Sequence, residues 1–220
     1  NLIKKFIKFI LIKFSRIIYW LIPSEFKNQP LRVKKILDQN IIKENYEFFK
    51  SDFEKSVLFE KLDDIRSYAI NTALKKDKEQ KFLYLEFGVY QGNSTNFFSK
   101  KLKKFYAFDS FEGLEEDWVG RNKPTGYFDL KQKIPKLNKN VNLSVGKVQD
   151  TLDNFLNNHK EKINFVHLDF DTYKPTKFVL EKIKPLLTNG SILIFDQFYN
   201  YAGWKDGEYK AFKEVFNSYT

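Results

Sequence analysis

The 220-residue sequence has no cysteine, no methionine, only two histidines, and no acidic residue before Glu25. Without cysteine there is neither a disulfide framework nor a thiolate metal site, and two histidines leave little for a histidine-rich one. A reducing compartment is compatible with this usage. The lack of methionine even at position 1 leads us to expect a native start upstream. Glycine and proline are sparse, at nine and six residues, and no linker, low-complexity tract or internal repeat is visible. Hydrophobic residues still make up 42% of the chain, enough for one domain with a substantial core.

What is abundant is positive charge and aromatic side chains. The net charge is +10 and Phe alone accounts for 24 residues. Lys4, Lys5, Lys8, Lys13 and Arg16 all precede the first acid, so half of the excess lies in the first 24 residues. The remainder is only mildly basic and carries no helix-turn-helix or RNP-type aromatic motif, which argues against nucleic acid as a partner.

Residues 1–22, NLIKKFIKFILIKFSRIIYWLI, are too interrupted for a membrane span. Lys8, Lys13 and Arg16 would each cost roughly 2.5–3.5 kcal/mol in a bilayer core. On a helical wheel the five cations occupy one half, and Ile3, Phe6, Ile7, Ile10 and Phe14 lie on the other. Such a basic amphipathic helix suits an anionic membrane interface, with Tyr19 and Trp20 at headgroup depth. The alternative is docking on the domain or on a second copy in a homodimer. No small-residue cleavage site follows, which disfavours a signal peptide. The expected location is cytoplasmic, peripheral at the inner face of the membrane.

Pro23 and Pro30 end this helix and start a new segment. Residues 46–77 then read as one or two covering helices, with Phe49, Phe53, Ile65, Ala69 and Ala73 at helical spacing. From Lys81 short apolar runs alternate with helices: FLYLEF, FYAF at 105–108, VNLSV at 141–145, INFVHLDF at 163–170 and SILIF at 191–195. The helices fall at 94–102, 151–158, 176–187 and 207–217. The expected fold is α/β, a Rossmann-like doubly wound, mainly parallel sheet with helices on both faces and an N-terminal helical extension. Three segments are delimited: a basic helix at 1–24, a helical cover at 25–80 and the sheet domain at 81–220. Residues 110–140 hold three glycines and two prolines with no long periodic run. As a long connection leaving the second strand, this stretch is a candidate substrate lid.

Ligands of doubly wound sheets lie outside the carboxyl ends of the strands. There the sequence places Glu86, Asp109, Gly146, Asp169 with Asp171, and Asp196, so acids end four of five apolar runs. Any one could be a helix cap; four together point to a site. Gly88 and Gly92 sit four apart in LEFGVYQGNS, and the second glycine of a dinucleotide fingerprint is replaced by Tyr90, whose bulk obstructs a pyrophosphate. S-adenosylmethionine has none, and its zwitterionic tail can be met by glycine amides, a helix N-terminus and an acid. Asp109 suits ribose hydroxyls under either cofactor.

The runs LEFGVYQGNS, AFDSFEGL, GKVQDTL, HLDFDTYKPT and LLTNGSILIFDQF, in that order, resemble class I S-adenosylmethionine-dependent methyltransferases. Within these they look like the macrocin O-methyltransferase (TylF/MycF-like) family. The resemblance covers about residues 60–215. It implies O-methylation of a hydroxyl on a sugar or glycosylated small molecule, with S-adenosyl-L-methionine as methyl donor and Mg²⁺ as a metal. It assigns Glu86, Gly88, Gly92, Asp109 and Ser110 to the cofactor, and Gly146, Lys147 and Asp150 to its adenine side. Asp169, Asp171 and Asp196 become the metal set, since a hard cation wants carboxylate oxygens. Asp169 and His167 are the candidates to take the hydroxyl proton, with a satisfied core histidine as the bland alternative for His167.

Two departures accompany the resemblance. Asp196 is followed by Gln197 where the family has a second acid, which favours a rival reading as an inactive member that binds a partner or membrane. A closing β-hairpin is also missing after the last helix, as a truncated chain would show. An NAD-dependent oxidoreductase is the third reading, opposed by Tyr90.

Overall fold

The computed structural model describes residues 2–21, 23 and 29–216, with side chains from 4–21, 23 and 33–216. Residues 1–48 and 49–220 form two compact units. The first contains α1 (Leu2–Leu21) and most of α2 (Gln29–Phe53). Among the described residues no helix is long and apolar enough to cross a membrane.

The second unit holds one five-stranded sheet in the order β3-β2-β1-β4-β5, with every neighbouring pair parallel. The strands are β1 (Leu83–Phe87), β2 (Phe105–Asp109), β3 (Val141–Val145), β4 (Ile163–Leu168) and β5 (Leu187–Phe195). The helices are α3 (Leu62–Lys76), α4 (Asn93–Ser99), α5 (Val148–Asn158), α6 (Tyr173–Ile183) and α7 (Glu208–Phe216). β1 and β4 are buried at every position, as expected for central parallel strands covered on both faces. This is the doubly wound α/β fold read from the sequence.

Side-chain alternation sorts the core into two layers. Leu85, Phe87, Val166 and Leu168 pack with Leu152 of α5, Leu180 of α6 and Ala211 of α7. Tyr84, Phe105 and Phe165 face the other way, against Ile70 and Ala73 of α3 and Phe98 of α4. Each such ring or branched chain stabilises by about 1.5–3 kcal/mol on burial. The α3 helix, assigned by pattern to an N-terminal cover, is therefore part of the sheet unit.

Three local differences from the sequence pattern have identifiable causes. The helical stretch after residue 46 breaks after Phe53, where Lys55 and Ser56 bond back to carbonyls three residues earlier and Ser56 Oγ takes the Asp52 carbonyl at 2.6 Å. Such side-chain competition ends helices. β4 stops at Leu168, two residues short of the apolar run, because Asp171 turns into the left-handed region at φ 64°. Residues 110–140 form no helix or strand of their own, but they are pinned: Leu114 and Trp118 pack on Tyr201 and Trp204, and Phe111 on Val89 and Ala107. Among the described residues α7 is the last element, and no strand follows it.

Candidate active site

Hydrogen bonds align the five strand ends. The amides of Gly88, Gly146, Asp169 and Asp196 bond the carbonyls of Phe108, Asp109, Phe87 and Leu168 in neighbouring strands, at 2.8–3.0 Å. A cavity of about 230 Å³ opens on this edge. Every strand end contributes to its wall: Gly88, Asp109 with Ser110, Gly146 with Lys147, Asp169 with Asp171, and Asp196 with Gln197. Leu114, Trp118, Lys123 and Phe128 of the 110–140 segment complete it.

The glycine turn is shaped by two contacts. Gly88 has φ 91°, and a Cβ there would lie 2.1 Å from the Asp169 carbonyl oxygen, so only glycine lets β1 and β4 end this close together. Asp109 then clamps the turn to β2. Its Oδ2 accepts from the amides of Val89 and Tyr90 at 2.7 and 2.8 Å, and its Oδ1 from Phe111 at 2.6 Å. A carboxylate offers about four acceptor sites, so one remains for a ligand hydroxyl. Tyr90 lines the cavity itself at φ 48°.

Several residues assigned to the site lie off the cavity wall. Glu86 faces the layer that holds Tyr84, fully buried, with Oε1 accepting from His167 Nδ1 at 2.8 Å; its Oε2 has no partner among the described residues. Gly92 is the left-handed N-cap of α4 at φ 77°, where a Cβ would meet Leu137 Cδ2 at 2.6 Å. Asp150 is exposed in the first turn of α5, where an acid complements the helix dipole. His167 is buried beneath the wall, with Nε2 3.9 Å from Asp196 Oδ1.

Beside the cavity the charges are strongly coupled. Burial opposes a charge on His167, but the carboxylates of Asp196 and Glu86 outweigh it and push its pKa up to about 10. Burial, opposed by His167 and reinforced by Asp196 and Asp171, raises Asp169 to about 8. Burial and Asp196 raise Asp171 to about 7. Asp196 is held below the usual range by His167, with Arg66 3.7 Å away adding to the effect.

His167, Asp169 and Asp196 can each turn one ligand atom to within 4.8 Å of the others. This grouping differs from the expected one in taking His167 in place of Asp171. Glu86 on Nδ1 fixes the ring so that Nε2 faces Asp196.

Sequence reasoning missed three contributors. Glu208, the first residue of α7, is fully buried and accepts from the Gln197 amide at 3.1 Å. Burial and the nearby Asp169 hold its carboxyl well above the usual range. Lys123 points its ammonium at the rings of Phe128, Trp118 and Tyr127, 4.3–5.0 Å from their centroids. Arg121 stacks over Trp118 and Tyr201 and donates to Gln197 Oε1 at 3.3 Å. A cation between aromatic residues in a long connection was the only available signal.

A doubly wound sheet with a cavity at the carboxyl ends of its strands is the α/β arrangement in which ligands bind at that edge. The family model described as a methyltransferase domain matches residues 85–198, and the chain belongs to that family. No curated protein matches the chain. Among solved structures it is similar to CalS11, a calicheamicin methyltransferase, with 26% identity over 67% of this chain and 69% of that one and a TM-score of 0.54. A second structure, the apo form titled CalS11, TDP-rhamnose 3'-O-methyltransferase, matches at 25% identity, 67% and 68% coverage and a TM-score of 0.48. The O-methyltransferase NovP matches at 15% identity, 69% and 72% coverage and a TM-score of 0.49.

Proposed function

We propose that the chain is an S-adenosylmethionine-dependent O-methyltransferase of the macrocin O-methyltransferase (TylF/MycF-like) type, acting on a hydroxyl of a sugar or glycosylated small molecule. The observation that carries this reading is the meeting of Gly88, Asp109 and Asp169 on one cavity. One feature favours the sulfonium nucleoside over a dinucleotide: Tyr90, on the cavity wall, stands where a dinucleotide fingerprint has its second glycine. Asp109 keeps acceptor capacity for the ribose that either would bring. The similarity to CalS11 supports methyl transfer within this fold.

S-adenosylmethionine, when bound, supplies an electrophilic methyl on a sulfonium. The chain's residues hold the acceptor hydroxyl in line with that methyl and take its proton as the new C–O bond forms. Asp169 lines the cavity, and its pKa of about 8 matches a base that must work near neutrality. His167 stands behind Asp169 and Asp196, so its cationic ring steadies their charge. Trp118, Phe128 and Lys123 form an aromatic and cationic wall suited to a sugar face.

Asp169, Asp196 and Asp171 supply the carboxylate oxygens that would hold a divalent cation such as Mg²⁺, whose chemistry is to lower the pKa of a bound hydroxyl, while the cationic His167 ring would stay outside the donor set. The fit lies in the clustering of carboxylates whose mutual repulsion a cation would relieve.

The test is transfer of a labelled methyl group from S-adenosylmethionine to a panel of glycosylated and nucleotide-activated sugars, with and without EDTA. Labelled ether product supports the reading. Activity that survives EDTA removes the cation and leaves the transfer. No product with any acceptor, from protein that still binds the nucleoside, favours the inactive member that Gln197 suggested.

A further inference from the structure

The first helix carries a feature unrelated to methyl transfer. α1 runs Leu2–Leu21 with five cations and no acid. At about 100° per residue, Phe6, Ile7, Ile10, Phe14 and Ile17 fall within an apolar sector about as wide as one residue step, which no charge interrupts. Lys4, Lys5, Lys8, Lys13 and Arg16 all lie on the remaining side. Both sides face solvent: Phe6 is 64% exposed, Phe14 62% and Ile17 57%, and every one of the five cations is exposed.

Charge complementarity selects the occupant. A protein groove that covered the apolar sector would leave five cations with nothing to balance them, unless it wrapped most of the helix with acids. An anionic bilayer meets both needs at once, with acyl chains below the helix and phosphates around it. The same five charges forbid crossing. Tyr19 and Trp20 at the C-terminal end are the side chains that settle at headgroup level, and Trp20 is 78% exposed.

We propose that α1 binds the surface of an anionic lipid bilayer, lying in the plane of the interface. The apolar sector enters the acyl boundary, and the lysines and Arg16 remain among the headgroups. The class of ligand is anionic phospholipid; binding requires neither the methyl donor nor the acceptor.

The test uses the full chain in co-sedimentation with vesicles of phosphatidylcholine alone and of phosphatidylcholine mixed with phosphatidylglycerol. Pelleting is expected only with the anionic vesicles, and it should fall as salt rises. Lys4→Gln with Lys8→Gln should weaken partitioning by roughly 25-fold, about fivefold per cation. Ile10→Asp with Phe14→Asp should abolish it. Bound wild-type protein should also show a blue shift in tryptophan emission that Trp20→Phe removes. Circular dichroism and thermal melts of each variant confirm that the sheet unit stays folded.

Equal pelleting with neutral vesicles would overturn the proposal, as would none with anionic ones. So would a dimer in light scattering that Ile10→Asp dissociates while vesicle binding stays absent, since the face would then belong to a second copy.

Discussion

Glu86 and His167 are direct register partners across β1 and β4, and their side chains meet on the buried face at 2.8 Å. This pair connects the sheet interior to the acids of the cavity, because the other ring nitrogen looks toward Asp196. It also explains how a carboxylate can be fully buried in the middle of an apolar strand. The imidazolium neutralises it, and Asp196 balances the ring from the far side.

Removing one partner leaves an uncompensated buried charge, which typically costs about 3–5 kcal/mol. Glu86→Ala should therefore lower the unfolding free energy by that amount in urea denaturation. An unchanged midpoint would mean that the pair is not formed.

Gly88→Ala should damage the site through backbone alone. The new Cβ would press on the Asp169 carbonyl, which cannot rotate away, and the residue would be held at φ 91°. Strain of about 1–3 kcal/mol is expected. It should appear as a lower melting temperature and a roughly tenfold or greater loss of S-adenosylhomocysteine affinity in calorimetry. Wild-type affinity in this variant would contradict the close approach of the two strand ends.

Asp109→Asn removes the charge that three amides share. Hydrogen bonds to a charged acceptor contribute about 1.5–3 kcal/mol each, and an amide side chain can no longer accept from all three. Amide exchange at Val89, Tyr90 and Phe111 should accelerate well beyond that of β1, as read by NMR. Protection equal to wild type would show that the turn stands without its clamp.

The pH dependence of stability follows from Asp169 and Asp171. Both have folded pKa values raised above the ordinary carboxylate range, to about 8 and about 7. Their contribution is complete below the unfolded value and is lost as pH rises through the folded ones. Asp196 is shifted the other way, and its share is lost only as acid protonates it. The melting temperature should therefore fall between about pH 5 and pH 8.5, and Mg²⁺ should restore it at the alkaline end by pairing with the ionised acids. A flat or rising profile would exclude this charge arrangement.

The sheet was legible because its strands are short apolar runs that each end in a polar residue, and Asp109, Asp169 and Asp196 were read from those ends. Glu86 was harder. In a strand buried on both faces, hydrophobic alternation carries no mark of which way a side chain points, so its pairing with His167 could not be seen. Glu208 looks like an ordinary surface residue in DGEYKAF, and only the fold, which sets it against the Gln197 amide just past β5, buries it. The cations and rings of 110–140 lack any period, since that segment is held by side-chain contacts alone.

The most direct measurement is calorimetric titration of the 220-residue chain with S-adenosylhomocysteine and, separately, with NADH. Saturable one-to-one binding of S-adenosylhomocysteine with no heat from NADH is the expected result, and the bulk of Tyr90 is the reason for it. Binding of NADH in preference, or of neither nucleoside, would contradict the assignment of this cavity to a methyl donor.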